Sequence, residues 1–137
     1  MKTYSQLTSL TFENFSLYIH HIEVILSHTP LLIHLKVVHG NDAIGRTFFD
    51  GSRWENFIQL KLPQLKKFEF FFSKIASYNG GSAEIESLIA PFRTSFWSET
   101  KQWTVASTYL KHTGQVILCS LPVCLTSFTY YCDDQKK

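Results

Sequence analysis

The amino-acid sequence predicts an α/β fold in which short strands lie side by side and helices cover one face of the sheet. First, an apolar spacing of i, i+3 and i+5 at Leu65, Phe68 and Phe70 places both phenylalanines on one strand face. Second, Pro30 and Pro63 each follow an amphipathic segment that a proline would end. Third, the apolar spacing recurs elsewhere, at Leu7, Leu10 and Phe12, at Leu32, Leu35 and Val37, and more loosely at Leu125, Phe128 and Tyr130.

This unit of helix, proline and short strand resembles a leucine-rich repeat, whose strands line the concave wall of a horseshoe. Neither element can bury its apolar face alone, so stacked units share a core. The intervals are uneven: Leu7 to Leu32 is 25 residues, Leu32 to Leu65 is 33, and Leu125 follows 60 residues later. The prediction is therefore an irregular leucine-rich-repeat-like layer of short strands with helices on one face.

The first half of the chain provides two strand–helix units and a third strand. Strands are predicted at about residues 7–12, 32–37 and 66–72, and a helix over 15–27 with an apolar stripe of Tyr18, Ile22, Ile25 and Leu26. Residues 39–46 are rich in turn formers and predict a loop. Ser52 and Glu55 have the spacing of a capping box for a short second helix.

The second half opens with a break at Asn79-Gly-Gly81, and a helix with an apolar stripe follows it. Pro91 is expected to end or kink this helix. The aromatic residues of 92–103 predict a packed connection. Residues 104–109 and 115–121 are rich in β-formers and predict a β-hairpin inserted before the last strand.

Length and composition are those of an ordinary globular protein. With 137 residues and 45% hydrophobic content, we expect residues 1–137 to form a single domain. The first strand has no helix or polar cap ahead of it, which favours a fragment of a longer protein. The net charge of +2 is spread without a basic stripe, so neither nucleic acid nor a membrane is an expected partner.

The cysteines and the N-terminus indicate a cytoplasmic, intracellular location. Cys119, Cys124 and Cys132 are odd in number, and no secretory segment precedes them, so disulfides are not expected. No apolar run approaches the ~20 residues that a membrane helix needs.

Several blocks are similar to the repeat-bearing portion of F-box-type leucine-rich-repeat proteins. They are Trp54, residues 62–68, residues 92–97 with Trp103, and Leu121-Pro122. The resemblance implies a protein-binding module that recruits the target of a cullin-RING ubiquitin ligase. No F-box pattern precedes Leu7, so binding to the ligase adaptor requires an F-box upstream of this chain.

The candidate binding surface consists of the strand positions that alternate with the apolar ones. They are Ser9, Thr11, His34, Lys36, Lys67, Glu69, Ser127 and Thr129. On the concave face that the repeat geometry implies, we expect His34, Lys36, Lys67 and Glu69 to contact a protein partner. The alternative is that these residues only keep a solvated sheet face polar.

The sequence contains none of the common motifs for catalysis, metal binding or cofactor binding. The sequence has no H-E-x-x-H, C-x-x-C, G-x-S-x-G or phosphate-binding glycine loop, so we expect no enzyme, no metal site and no cofactor. Two alternatives remain. One is a stand-alone scaffold unrelated to ubiquitin. The other is an enzyme with an unrecognised site, which would need a pocket where a histidine or cysteine meets a carboxylate.

Overall fold

The computed structural model describes residues 3–4, 6–13, 16–39, 46–76 and 82–120. In these ranges five strands form one sheet, in the order β1-β2-β3-β5-β4. The strands β1, β2 and β3 are parallel, and β5 runs antiparallel to both β3 and β4. The strand bounds are β1 Ser9–Phe12, β2 His34–His39, β3 Lys67–Ile75, β4 Val105–Leu110 and β5 Gln115–Ser120.

Helices alternate with the parallel strands, so the predicted α/β class is confirmed. Helix α1 (Ile19–Leu26) connects β1 to β2, and α2 (Gly51–Lys61) connects β2 to β3. Helix α3 (Ser82–Ile89) follows β3, and then come a 3₁₀ turn (Ala90–Phe92) and a π-helical turn (Phe96–Thr100). None of the helices in the described ranges has both the length and the apolarity to cross a membrane.

The strand register matches the repeated apolar spacing. Leu10 pairs with Leu35, which pairs with Phe68; Phe12 pairs likewise with Val37, and Val37 with Phe70. The fourth copy, Leu125 to Tyr130, lies outside the described residues. Next to β3 stands β5 of the predicted hairpin, so the hairpin extends the sheet.

The backbone hydrogen bonds just ahead of β2 and β3 are also repeated. The amide of Ile33, ahead of β2, donates to the carbonyl of Thr8 at 2.7 Å. The amide of Lys66, ahead of β3, donates to the carbonyl of Ile33 at 2.9 Å. Equivalent backbone bonds therefore join each unit to the one before it.

Aromatic rings fill the core between the sheet and the helices, as the composition predicts. Trp54 of α2 stacks on Phe72 of β3 with a centroid separation of 6.0 Å, and its indole N–H donates to the carbonyl of Phe48 at 3.0 Å. Trp97 packs against Phe92 at 5.0 Å. The residues of 92–103 thus form a packed connection, as predicted.

The apolar stripe predicted for the first helix is partly wrong. The helix begins at Ile19, and its buried row is Ile19, Ile22 and Leu26. Tyr18 caps the helix and is 41% exposed, while Ile25 is 40% exposed. The choice between neighbouring rows depends on which flank meets the sheet, and that is a tertiary property.

The capping residue predicted for the second helix is also wrong. The carboxylate of Asp50, rather than Ser52, accepts a hydrogen bond from the amide of Arg53 at 3.0 Å. Asp50 is therefore the N-cap, and helix α2 begins at the next residue, Gly51. The predicted turn at Asn79-Gly-Gly81 and residues 40–45 of the predicted loop lie outside the described residues.

The expectation that the chain holds no disulfide is contradicted. Cys119 on β5 is disulfide-bonded. Cys124 and Cys132 lie outside the described residues. An odd number of cysteines does not prevent one pair from forming, so the count alone could not exclude a disulfide.

Candidate functional site

The candidate site lies on the sheet face opposite the helices. Pairing in the parallel sheet aligns Ser9, His34 and Lys67 across β1, β2 and β3, and it aligns Thr11, Lys36 and Glu69 one step along. We call these six residues the polar face. Their side chains alternate with core residues such as Leu35 and Phe68, so they point away from the helices. Ser127 and Thr129, predicted for the same surface, lie outside the described residues.

Glu69 is the centre of the polar face. Its carboxylate accepts a hydrogen bond from Nε2 of His34 at 3.0 Å and forms an ion pair with Nζ of Lys67 at 3.2 Å. Its side chain is only 14% exposed. Burial alone would raise the Glu69 pKa, but the bonds from His34 and Lys67 together outweigh it and lower the pKa. Glu69 is therefore held as a carboxylate.

Lys36 occupies the polar face without joining this cluster. Its Cα pairs in register with that of Glu69, yet its ammonium group lies 3.7 Å from the carboxylate of Glu13. The structure thus brings His34, Lys67 and Glu69 together and leaves Lys36 in a separate ion pair. Lys67 keeps 58% of its side chain exposed, so a partner can reach its ammonium group more easily than the carboxylate of Glu69.

The same sheet face becomes apolar toward the carboxyl ends of the parallel strands. Phe71, Ile117 and Cys119 are buried there, and they form a second cluster separate from the main core. The signal for it was the unbroken run Phe70-Phe71-Phe72, which indicates a strand covered on both faces. The alternating positions of this strand do not by themselves predict the cluster.

The aromatic connection positions the start of β3. The indole N–H of Trp103 donates to the carbonyl of Lys66 at 3.0 Å, and Nζ of Lys101 donates to the carbonyl of Leu65 at 2.8 Å. Burial lowers the Lys101 pKa. These two bonds hold the backbone just ahead of Lys67, so they fix where Lys67 and Glu69 lie on the polar face.

A shallow groove of about 480 Å³ lies elsewhere, beside the π-helical turn. Gln102 in its wall has a φ of 59°, which is an uncommon backbone conformation for a residue other than glycine. The groove contains none of the predicted site residues. It is lined by Phe92, Arg93, Ser98, Gln102, Trp103, Thr104 and Val105.

The His34–Glu69 pair meets one requirement of the enzyme alternative, since a histidine lies within hydrogen-bond reach of a carboxylate. Neither residue of the pair lines the groove beside the π-helical turn. Among the described residues, no three histidine, cysteine or carboxylate side chains gather as a metal site would require.

The comparisons with known proteins leave the function to be argued from the residues themselves. No family model matches the chain, no curated protein matches it, and no solved structure matches it.

Proposed function

We propose that the protein is a non-enzymatic protein–protein interaction module that binds its partner through the polar face. The observation that carries this proposal is the register, which gathers His34, Lys36, Lys67 and Glu69 on a sheet face that carries no helix in the described ranges. Because Lys67 is the most accessible of the charged side chains there, the partner is expected to present carboxylates to it.

The proposal includes an irregular leucine-rich-repeat character. Three parallel strands with matched apolar positions support it, as do the repeated backbone bonds from Ile33 to Thr8 and from Lys66 to Ile33. The unequal spacing and the antiparallel β5 are the irregular part.

A more specific part of the proposal is that the partner is a protein targeted by a cullin-RING ubiquitin ligase. A longer form of this protein that includes an F-box would act as the adaptor of that ligase. The aromatic block that resembles those proteins anchors the start of β3, which supports a shared role in shaping the polar face. A cytoplasmic location belongs to this part. The disulfide at Cys119 argues against it, since cytosolic thiols are kept reduced.

The test is affinity capture from cell extract, quantified by mass spectrometry. The tagged chain is compared with a Lys36→Glu, Lys67→Glu double variant and with a Lys61→Glu, Lys111→Glu double variant, which makes the same charge change away from the polar face. A partner bound through the polar face should fall by about tenfold with the first variant only, which corresponds to ~1.4 kcal/mol of binding free energy. Equal recovery with both variants would overturn the proposal.

A second arm uses the chain extended by any upstream coding sequence. Recovery of the cullin and its adaptor with the extended form supports the ubiquitin part of the proposal. If that form recovers the same partner without ligase components, the ubiquitin part fails and the stand-alone scaffold remains.

The His34–Glu69 pair favours one second candidate, a hydrolase that uses His34 as a general base. We expect the chain to show no turnover on a panel of chromogenic esters. Turnover that is abolished by His34→Gln and retained by His112→Gln would establish the enzyme and overturn the binding-module proposal.

A further inference from the structure

The groove beside the π-helical turn has an apolar floor. Phe92 and Val105 are 1% and 9% exposed, and both contribute to its lining. The ring of Trp103 forms one wall, and the bond from its N–H to the carbonyl of Lys66 at 3.0 Å fixes its position. The groove therefore offers a rigid apolar surface to a side chain of a ligand.

Arg93 supplies the charge of the groove. Among the residues that line it, Arg93 alone is charged. Its Nη1 lies 3.9 Å from the carboxylate of Glu86, which is too far for a hydrogen bond, and the two side chains are 58% and 74% exposed. Such an exposed ion pair contributes little. The guanidinium is therefore available to another carboxylate, which it can bind through two parallel N–H bonds.

Gln102 is held in a strained backbone conformation in the wall of the groove. Its φ of 59° is unfavourable for a residue with a β-carbon. Backbone bonds on either side enforce it, from the amide of Lys101 to the carbonyl of Phe96 at 2.9 Å and from the amide of Trp103 to the carbonyl of Trp97 at 2.8 Å. Residues that keep such strain are frequent at binding sites. Within the described part of the chain the Gln102 side-chain amide makes no hydrogen bond, so a ligand can use both its donor and its acceptor.

The shape of the groove favours the end of a peptide over a compact small molecule. A small-molecule site encloses most of its ligand, whereas this groove of about 480 Å³ is shallow and its polar residues Arg93, Ser98, Gln102 and Thr104 are exposed. The last residue of a peptide carries a carboxylate and a side chain on the same carbon atom. It can therefore meet the guanidinium and the apolar floor at once, and backbone capture of a terminal carboxylate is a recurring mode of peptide recognition.

We propose that this groove binds the carboxyl terminus of a partner protein whose last residue is apolar. Arg93 pairs with the terminal carboxylate, Phe92 and Val105 contact the last side chain, and the amide of Gln102 bonds to the peptide backbone. The groove shares no residue with the polar face, so this site does not depend on the function proposed above.

The probe is a short synthetic peptide of glycine and serine that ends in phenylalanine with a free carboxylate. It is titrated into the ¹⁵N-labelled full chain, and binding is followed by NMR through the indole N–H of Trp103 and the amides of Arg93 and Gln102. The free acid should bind about tenfold more tightly than the same peptide with a carboxyl-terminal amide, because the amide cannot accept the paired guanidinium bonds. Equal affinity of the two forms, or no shift of these signals with either, would overturn the proposal.

Two further ligands separate the sources of a carboxylate. One is the amidated peptide with a glutamate placed before the phenylalanine, and the other is 3-phenylpropionate, which has no peptide backbone. Both should bind more weakly than the free-acid peptide. If the glutamate peptide binds as tightly, the ligand is an acidic side chain. If 3-phenylpropionate binds as tightly, the groove is a site for small organic acids. Either result contradicts the proposal.

Matched variants test the residues. Arg93→Gln should abolish the preference for the free acid. Lys111→Gln removes the same charge beyond the other end of β4 and should retain the preference, as should the Lys36→Glu, Lys67→Glu variant of the polar face. Gln102→Gly should raise the urea midpoint, because glycine adopts a positive φ without strain, and yet weaken peptide binding. Weaker binding in a more stable protein cannot come from unfolding. Unchanged binding in either Arg93→Gln or Gln102→Gly would refute the site.

Discussion

Nε2 of His34 on β2 lies 3.0 Å from a carboxylate oxygen of Glu69 on the neighbouring parallel strand β3. The two residues are 35 positions apart in the chain. An ionised carboxylate can only accept hydrogen bonds, so the imidazole donates. Lys67 completes the cluster from the same strand as Glu69. This relationship ties the charge of the polar face to pH.

Replacing Glu69 by glutamine should destabilise the fold at neutral pH by about 1 kcal/mol, because two donors lose a charged acceptor. The Glu69 pKa is lower in the folded chain than in the unfolded chain, so its contribution is present above the ordinary carboxyl pKa and is lost as the pH falls through the folded pKa. Urea unfolding of wild type and Glu69→Gln should therefore differ at pH 7, and the difference should shrink as the pH falls below the ordinary carboxyl pKa. The exposed Glu99→Gln is the control. A difference that does not shrink on acidification would contradict the linkage.

His39 should make the fold sensitive to mild acid. Its side chain is 2% exposed at the end of β2, with its ring 5.2 Å from that of Phe48, and burial lowers its pKa. The unfolded chain then binds a proton more readily than the folded chain, so stability is full above about pH 6.5 and falls below it, by at most ~1.4 kcal/mol per pH unit. His39→Gln should flatten the profile of unfolding free energy between pH 7.5 and 5.5, whereas the exposed His112→Gln should not. A profile unchanged by His39→Gln would refute the assignment.

Gly51→Ala should destabilise the protein although alanine is the better helix former. Alanine is favoured in a helix interior by about 1 kcal/mol. However, a β-carbon at Gly51 would lie 2.7 Å from the carbonyl carbon of Pro91 and 2.8 Å from its oxygen, and backbone atoms cannot give way cheaply. We expect a net loss of about 2 kcal/mol by chemical denaturation. The neighbouring exposed Ser52→Ala should change stability little, and a Gly51→Ala protein as stable as wild type would show that the 3₁₀ turn can shift.

The disulfide at Cys119 predicts the thiol count of the purified protein. A disulfide uses two of the three cysteines and leaves one thiol. Denaturation in iodoacetamide without reductant should therefore add one alkyl group by mass spectrometry, and prior reduction should allow three. Three alkyl groups without reduction would restore the original expectation of reduced cysteines and remove the objection to a cytoplasmic location.

Much of the strand layer was predictable because its signal is local and repeated. The i, i+3, i+5 spacing located β1, β2 and β3, and it aligned Leu10, Leu35 and Phe68, which the register then pairs. The hairpin of β4 and β5 was located by β-forming residues on either side of a turn. Its place beside β3 was not predictable, since pairing between distant strands leaves no mark in either segment.

The candidate site was predictable as a set of residues but not as a geometry. Alternation along each strand placed His34, Lys36, Lys67 and Glu69 on one face. That Lys36 would pair with Glu13 while His34 and Lys67 share Glu69 depends on side-chain reach across the sheet. The role of these residues in binding a partner stays a prediction.

The sequence by itself determined the alternation of helices and strands, the residues on each strand face and the aromatic filling of the core. These follow from apolar periodicity, which is a property of neighbours in the chain. The tertiary structure alone decided which helix flank is buried, which strand lies beside β3, where the second cluster of Phe71 and Ile117 lies and that Cys119 is bonded. Each of these depends on contacts between segments far apart in the chain, and burying the most apolar surface selects among them only when the whole chain is packed together.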